Sequence, residues 1–160
     1  MRKVYIETTI PSYITSRLSR DLIIAGNQQL SREWWENERS SYDLYISEIV
    51  IAECRMGDTE AAKNRLDLLK EIKILKLTDD VNTLAYDYFK LFDIPEKSKL
   101  DTYHLAFTVL SEIDYLLTWN CTHIAHGEIR SKLRDYNKSK NLFEPILLTP
   151  YELMRRDYYE

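Results

Sequence analysis

Val4-Tyr5-Ile6-Glu7 puts three apolar residues in succession near the start of the chain and closes them with an acid. A strand with one wet face alternates apolar and polar residues. This run does not, so it is predicted to be covered on both faces, as the strands of a parallel sheet are. Leu44 to Ser47, Tyr115 to Thr118 and Pro145 to Leu148 have the same character. Ile72 to Leu77 (IKILKL) alternates and reads as a fifth strand or as the end of a helix. Helical patterns fill the intervals: 21–38, 48–55, 58–71, 79–92, 101–111, 127–140 and 150–158, the last with Thr149 as candidate N-cap before Pro150. In 21–38, Leu22, Ile23, Ala25, Gln29, Leu30 and Trp34 fall roughly on one side, the expected buried face. Strands separated by helices predict an α/β protein, a three-layer α/β/α fold with a short, mainly parallel central sheet.

The chain has 160 residues, 44% hydrophobic and 30% charged, which suits one globular domain. Its core is expected over about residues 2–149, with a C-terminal helix over 150–160. Three glycines and four prolines predict long helices and short loops. No apolar run approaches the roughly 18 residues that span a bilayer, so no membrane association is expected. Met1 to Tyr5 enters the first strand without the apolar region of a signal peptide. Cys54 and Cys121 are too few for a disulfide framework or a zinc site, and the expected location is cytoplasmic. A net charge of −4 argues against a non-specific nucleic-acid coat. It leaves room for a nuclease, because a carboxylate-rich pocket is itself negative and a divalent ion reverses the local field. The basic clusters Arg17/Arg20, Lys97/Lys99 and Arg130/Lys132/Arg134 read first as solvated helix faces.

Four polar residues stand at the edges of apolar runs: Glu7, Glu53, Asp101 and Asn120. An unpaired charge in such a place is costly, and three carboxylates with an amide are explained together as a site for a hard cation. Ligand sites of open parallel sheets lie beyond the carboxyl ends of the strands. Glu7 ends the first strand, Asn120 follows the strand at 115–118, Glu53 lies in the helix after the second strand, and Asp101 opens the helix before 115–118. Singly, each has an ordinary role: strand end, solvated helix residue, N-cap and turn residue respectively. His104 shares a helix face with Asp101 and reads as a packed or hydrogen-bonded histidine. His123 and His126 read as capping or packing residues. Glu48 and Asp114 read as exposed or capping acids, in reserve should Glu53 be misplaced. Trp34 and Trp35 read as helix packing, with base stacking as the alternative.

Four segments, in order, carry a resemblance. They are Val4-Tyr5-Ile6-Glu7-Thr8-Thr9-Ile10-Pro11-Ser12-Tyr13, Tyr45-Ile46-Ser47-Glu48-Ile49-Val50-Ile51-Ala52-Glu53, Asp101-Thr102-Tyr103-His104-Leu105-Ala106, and Asp114-Tyr115-Leu116-Leu117-Thr118-Trp119-Asn120-Cys121-Thr122-His123-Ile124. Together they resemble the PIN domain, in particular the VapC-like toxin ribonucleases of prokaryotic toxin–antitoxin pairs. The resemblance implies a Mg²⁺- or Mn²⁺-dependent endoribonuclease. Glu7, Glu53, Asp101 and Asn120 would be its catalytic and metal-binding residues. Thr8 and Thr118 would supply hydrogen bonds that orient the carboxylates. It also implies an RNA substrate, a cognate antitoxin and a homodimer, for which the aromatic tail Tyr151 to Tyr159, with Arg155 and Arg156, is a candidate face. Two positions depart from the family. Glu7 stands where Asp is usual, one methylene longer, and Asn120 stands where Asp is frequent and brings no charge. The alternatives are therefore a PIN-fold RNA- or protein-binding module without turnover, or a DNA-directed nuclease of the same fold.

Overall fold

Three consecutive residues of the first strand, Val4, Tyr5 and Ile6, are fully buried, so helices cover both faces of the sheet. The structure is a computed structural model and describes residues 1–155. In chain order its elements are β1 (Lys3–Ile6), α1 (Thr9–Thr15), α2 (Leu22–Asn37), β2 (Asp43–Ser47), α3 (Glu48–Cys54), α4 (Thr59–Leu69), β3 (Lys73–Leu75), α5 (Asp79–Phe92), α6 (Lys99–Leu110), β4 (Tyr115–Leu117), α7 (Gly127–Ser139), β5 (Ile146–Leu148) and α8 (Pro150–Leu153). The five strands form one sheet in the order β3-β2-β1-β4-β5, and every pairing is parallel. This is the expected α/β architecture. The alternating run 72–77 does hold a strand, at the sheet edge, where Lys73 and Ile74 are both exposed. No described helix is long and apolar enough to cross a membrane.

The strand order creates a crevice. From β1 the chain winds outward through β2 and β3, then returns to the other side of β1 and winds outward through β4 and β5. The switch point lies between β1 and β4, where connections leave their carboxyl ends in opposite directions. Doubly wound sheets place ligands at such a point.

Three segments differ from the sequence expectation. Helix α1 is not among the helices predicted from sequence. Pro11 sits at the third position, where the N–H has no intrahelical partner to lose. In α2 the buried face is Gln28, Ser31, Trp34 and Trp35. Leu22 and Ile23, placed on that face from sequence, are 87% and 78% exposed. Polar residues hold this face because backbone groups there need partners. Gln28 accepts from Ser19 N–H (2.8 Å) and donates to Arg17 O (2.9 Å), while Arg32 donates to Ile14 O (3.0 Å) and Ser16 O (2.7 Å). These bonds tie α2 to the end of α1, and the first turn of α2 projects beyond them. Finally, α8 ends at Leu153, with Met154 extended. Thr149 is its N-cap residue, its N–H donating to the Glu152 carboxylate at 2.8 Å. The expected helix to 160 and the tail to Tyr159 run into residues 156–160, outside the described residues.

Candidate metal centre

Sheet register brings distant residues into one row. Extending the pairings Tyr5↔Tyr45 and Ile6↔Leu117 by the next residues aligns Ser47, Glu7 and Thr118 across β2, β1 and β4. Glu7 N–H still donates to Leu117 O at 3.1 Å, so Glu7 keeps the geometry of a strand residue. Side chains alternate along a strand, so Glu7 shares a face with Tyr5.

Glu7 is 3% exposed, and its two oxygens differ. Oε2 accepts from Thr9 N–H (3.0 Å), from Thr118 Oγ1 (2.7 Å) and, in a short bond, from Thr9 Oγ1. Oε1 accepts no hydrogen bond among the described residues, and His104 Nε2 is 4.0 Å away. Thr9 and Thr118 are held in turn, accepting from the N–H groups of Trp119 and Asn120, both at 2.8 Å.

Glu53, in α3, is placed by a different set. Its Oε1 accepts from Thr8 Oγ1 (2.8 Å) and lies 2.7 Å from His104 Nε2. The fully buried His104, from α6, has its Nδ1 2.7 Å from the Tyr5 hydroxyl, which is 2.7 Å from Ser47 Oγ. Ser47 Oγ also accepts from Val50 N–H (3.3 Å) and so caps the helix that carries Glu53. With the N–H on Nε2, each hydroxyl and the imidazole donate once along this path, from Ser47 to Tyr5 to His104 to Glu53. The path closes a loop through β1, β2, α3 and α6.

The two carboxyl groups are pushed in opposite directions. Burial raises the Glu7 pKa, against the His104 charge and the hydrogen bonds from Thr9 and Thr118. Burial would also raise Glu53, but the His104 bond and charge, with Thr8, outweigh it and leave Glu53 below the ordinary range. Burial would lower His104, yet the Glu53 bond and the charges of Glu53, Glu7 and Asp101 raise it.

One ligand atom from each of Glu7, Glu53 and His104 lies within 4.8 Å of the other two. A carboxylate oxygen without a donor on a nearly buried side chain, facing a second carboxylate, fits a hard cation, which supplies the missing partner and offsets the burial of charge.

Asp101 and Asn120, also chosen from sequence, lie outside this set. Asp101 is the third residue of α6, one turn before His104, and is not its N-cap. It does not join the set within 4.8 Å; its Oδ2 is 3.1 Å from His123 Nδ1. Asn120 Oδ1 accepts from His123 N–H (2.9 Å) and Asn120 O from Ala125 N–H (2.9 Å), which shapes the loop after β4. Thr8 and Thr118, chosen as orienting hydroxyls, each donate to a carboxylate. Thr9, Tyr5 and Ser47 were not identified from sequence. The signals available were a second hydroxyl after Glu7, a tyrosine two residues before it on the same strand face, and a serine at a strand-to-helix junction. His126 caps α7 by accepting from Glu128 N–H (3.2 Å). Glu48 accepts from Leu77 N–H (2.6 Å) and Asp114 from Lys3 N–H (2.8 Å), so both reserve acids serve the scaffold. Burial pushes the Cys54 thiol up to about 11, the state of a packed rather than a reactive cysteine.

No protein-family model and no curated protein matches the sequence. Solved structures do. VapC20 of Mycobacterium tuberculosis, a sarcin–ricin-loop-cleaving toxin, superposes with a TM-score of 0.56 and 14% identity over 71% of this chain and 86% of that one. A chain of VapBC2 from Rickettsia felis, solved bound to a DNA fragment from its promoter, superposes with a TM-score of 0.52 and 16% identity over 92% of this chain and 98% of that one. At these identities the likeness is one of fold, and it is the PIN-type α/β fold that the four sequence segments suggest.

Proposed function

We propose that the chain is a divalent-metal-dependent endoribonuclease, the toxin of a toxin–antitoxin pair acting on RNA in the cytoplasm. The observation that carries this reading is Glu7 Oε1: the oxygen without a donor on a carboxyl group that is 3% exposed, at the switch point of a parallel sheet, facing Glu53 and His104. The fold shared with toxin structures supports it.

In this reading Glu7 and Glu53 hold Mg²⁺ or Mn²⁺, with Asp101 contributing from α6. The bound ion would supply neutralisation of phosphodiester charge and a lowered pKa for the attacking water. The chain's own contribution is fixed geometry. Thr9 and Thr118 hold one oxygen of Glu7, while Thr8 and His104 hold one oxygen of Glu53. In each case the other oxygen carries no hydrogen bond among the described residues, so the acids need little reorganisation to engage the ion or the water. The amide NH₂ of Asn120 also carries none, and it is assigned to the scissile phosphate. A cognate antitoxin would cover this pocket, with a basic side chain taking the place of the ion. Leu18, Leu22 and Ile23 are exposed together around the start of α2, apolar surface that suits an antitoxin or a second copy of the chain.

The test is incubation of purified, antitoxin-free protein with defined RNAs in Mg²⁺, in Mn²⁺ and in EDTA. Cleavage is expected with either metal and not in EDTA, and Glu7→Gln and Asp101→Ala should abolish it. Absence of metal-dependent cleavage would overturn the enzyme reading. Cleavage that survives both substitutions would overturn the residue assignment. Binding without turnover is the second reading, favoured by the engagement of Asn120 Oδ1 with His123 N–H. It predicts RNA binding with no cleavage in the same experiment.

A further inference from the structure

Base stacking was open to Trp34 and Trp35 from sequence, but they are 0% and 5% exposed, packed in the core. The half-buried aromatic rings beside the acids are Tyr13 and Trp119, whose centroids are 6.0 Å apart with planes inclined by 14°. Both are tied to the acidic centre. Trp119 N–H donates to Thr9 Oγ1, the hydroxyl bonded to Glu7, and Trp119 directly precedes Asn120. Tyr13 lies four residues after Thr9 on α1, on the same helix face. The indole is fixed at its other end by Nε1–H donating to Ser31 Oγ at 2.6 Å. Tyr13 stacks on this ring, and Trp119 also lines a groove of about 400 Å³ with Cys121, Ala125 and Arg130.

We infer that Tyr13 and Trp119 form a platform on which a base of single-stranded RNA stacks next to the scissile phosphate. The inference rests on the ribonuclease reading above. A pinned aromatic ring binds a base with little ordering penalty, and every base offers a π-face, so the platform selects single strands over duplexes rather than one base over another. Arg130, shared with Glu152 at 3.4 Å, places a cation along the groove for the next phosphate. The main-chain N–H of Trp119 is two hydrogen bonds from the Glu7 carboxylate, and Asn120 follows directly, so a nucleotide is favoured over a protein segment as the occupant: the backbone that carries the ring also borders the acids.

The test uses the full chain in EDTA, so that no strand is cut, and a short unstructured RNA. RNA should quench the tryptophan emission of the wild type. Trp119→Phe should remove the quenching while keeping near-wild-type affinity, read by anisotropy of labelled RNA. Trp119→Leu and Tyr13→Leu should each weaken binding by about tenfold, as loss of one base–aromatic stack does. Tyr13→Leu stands as the second variant if Trp119→Leu fails to fold. If the wild type cuts RNA in Mg²⁺ while both Leu variants keep wild-type affinity and KM, the platform is overturned and the enzyme reading stands. Loss of affinity in Trp119→Phe and Trp119→Leu alike, in proportion to lost thermal stability, assigns a packing role and overturns it too. Quenching in EDTA with no cleavage of the same RNA in Mg²⁺ or Mn²⁺ supports the platform and overturns the hydrolase. No RNA binding at all overturns the platform.

Discussion

Burial makes an ionised Glu7 costly, and the cation of the proposed function would offset that cost. Its folded pKa is raised by burial, so ionising it opposes folding. Glu7→Gln removes that charge while keeping an oxygen for Thr9 and Thr118. The variant is expected to melt at a higher temperature than the wild type in EDTA, yet to lose the rise in Tm that Mg²⁺ or Mn²⁺ gives the wild type, as thermal scans with and without metal would read. Thr8 is different, because its hydroxyl aims a carboxylate and carries no charge. Thr8→Val is expected to leave Tm within about 1 °C, a small surface-type effect, while metal affinity or cleavage falls roughly 10- to 100-fold, the usual effect of losing a residue that orients a ligand. Titration calorimetry with Mn²⁺ checks the affinity, and cleavage rates check the rest. At this scale the sequence showed which acids stand at strand ends. It could not show that His104 rather than Asp101 lies against Glu53, because the two share a helix face and differ by one turn.

Among the elements, α3 joins scaffold to site. Ser47 ends β2, caps α3 through Val50 N–H and accepts or donates to Tyr5. At the other end Arg65 of α4 donates to Cys54 O and Met56 O, at 2.9 and 2.7 Å, satisfying carbonyls that the helix leaves open. Glu53 is therefore carried on a seven-residue helix held at both ends. Ser47→Ala removes the cap and leaves the buried Tyr5 hydroxyl one partner short, for a loss of about 1–3 kcal/mol. Urea denaturation should show a lower midpoint with an unchanged slope. Element positions were legible from local patterning: α5 runs over 79–92, as its pattern predicts. Helix α1 was not, because its first turn is built from residues that are poor helix formers and is stabilised by its neighbours. Thr9 N–H donates to the Glu7 carboxylate and Ile10 N–H to Glu7 O, contacts that exist only once β1 has ended there. The first turn of α2 failed in the opposite direction, since apolar spacing cannot tell a buried stripe from one the fold leaves exposed.

Over the whole molecule, the sheet is fastened at the end opposite the acids. Asp114, at the start of β4, accepts from Lys3 N–H at 2.8 Å and pairs with Arg2 at 2.9 Å, while Ile146 N–H donates to Asp114 O. One residue thus ties β1, β4 and β5. The Lys3 backbone bond, then Arg2, hold the Asp114 pKa below the ordinary value. The stability it contributes is therefore present above its unfolded pKa and is lost as pH falls through the lower folded value. Asp114→Asn is expected to lower Tm at neutral pH, with the gap to wild type closing in acid, as melts across pH 2–7 would read. The sequence by itself determined the alternation of strands and helices apart from α1, the burial of the central strand β1 on both faces and the position of an acid or amide at strand ends, because these follow from local periodicity and the cost of burying charge. Only the tertiary structure decided the order β3-β2-β1-β4-β5, and with it which ends meet. Thr118 reaches Glu7 across 111 residues of chain, and His104 reaches Glu53 across 51. Such contacts are set by parallel register and helix packing between remote elements, which no local pattern encodes.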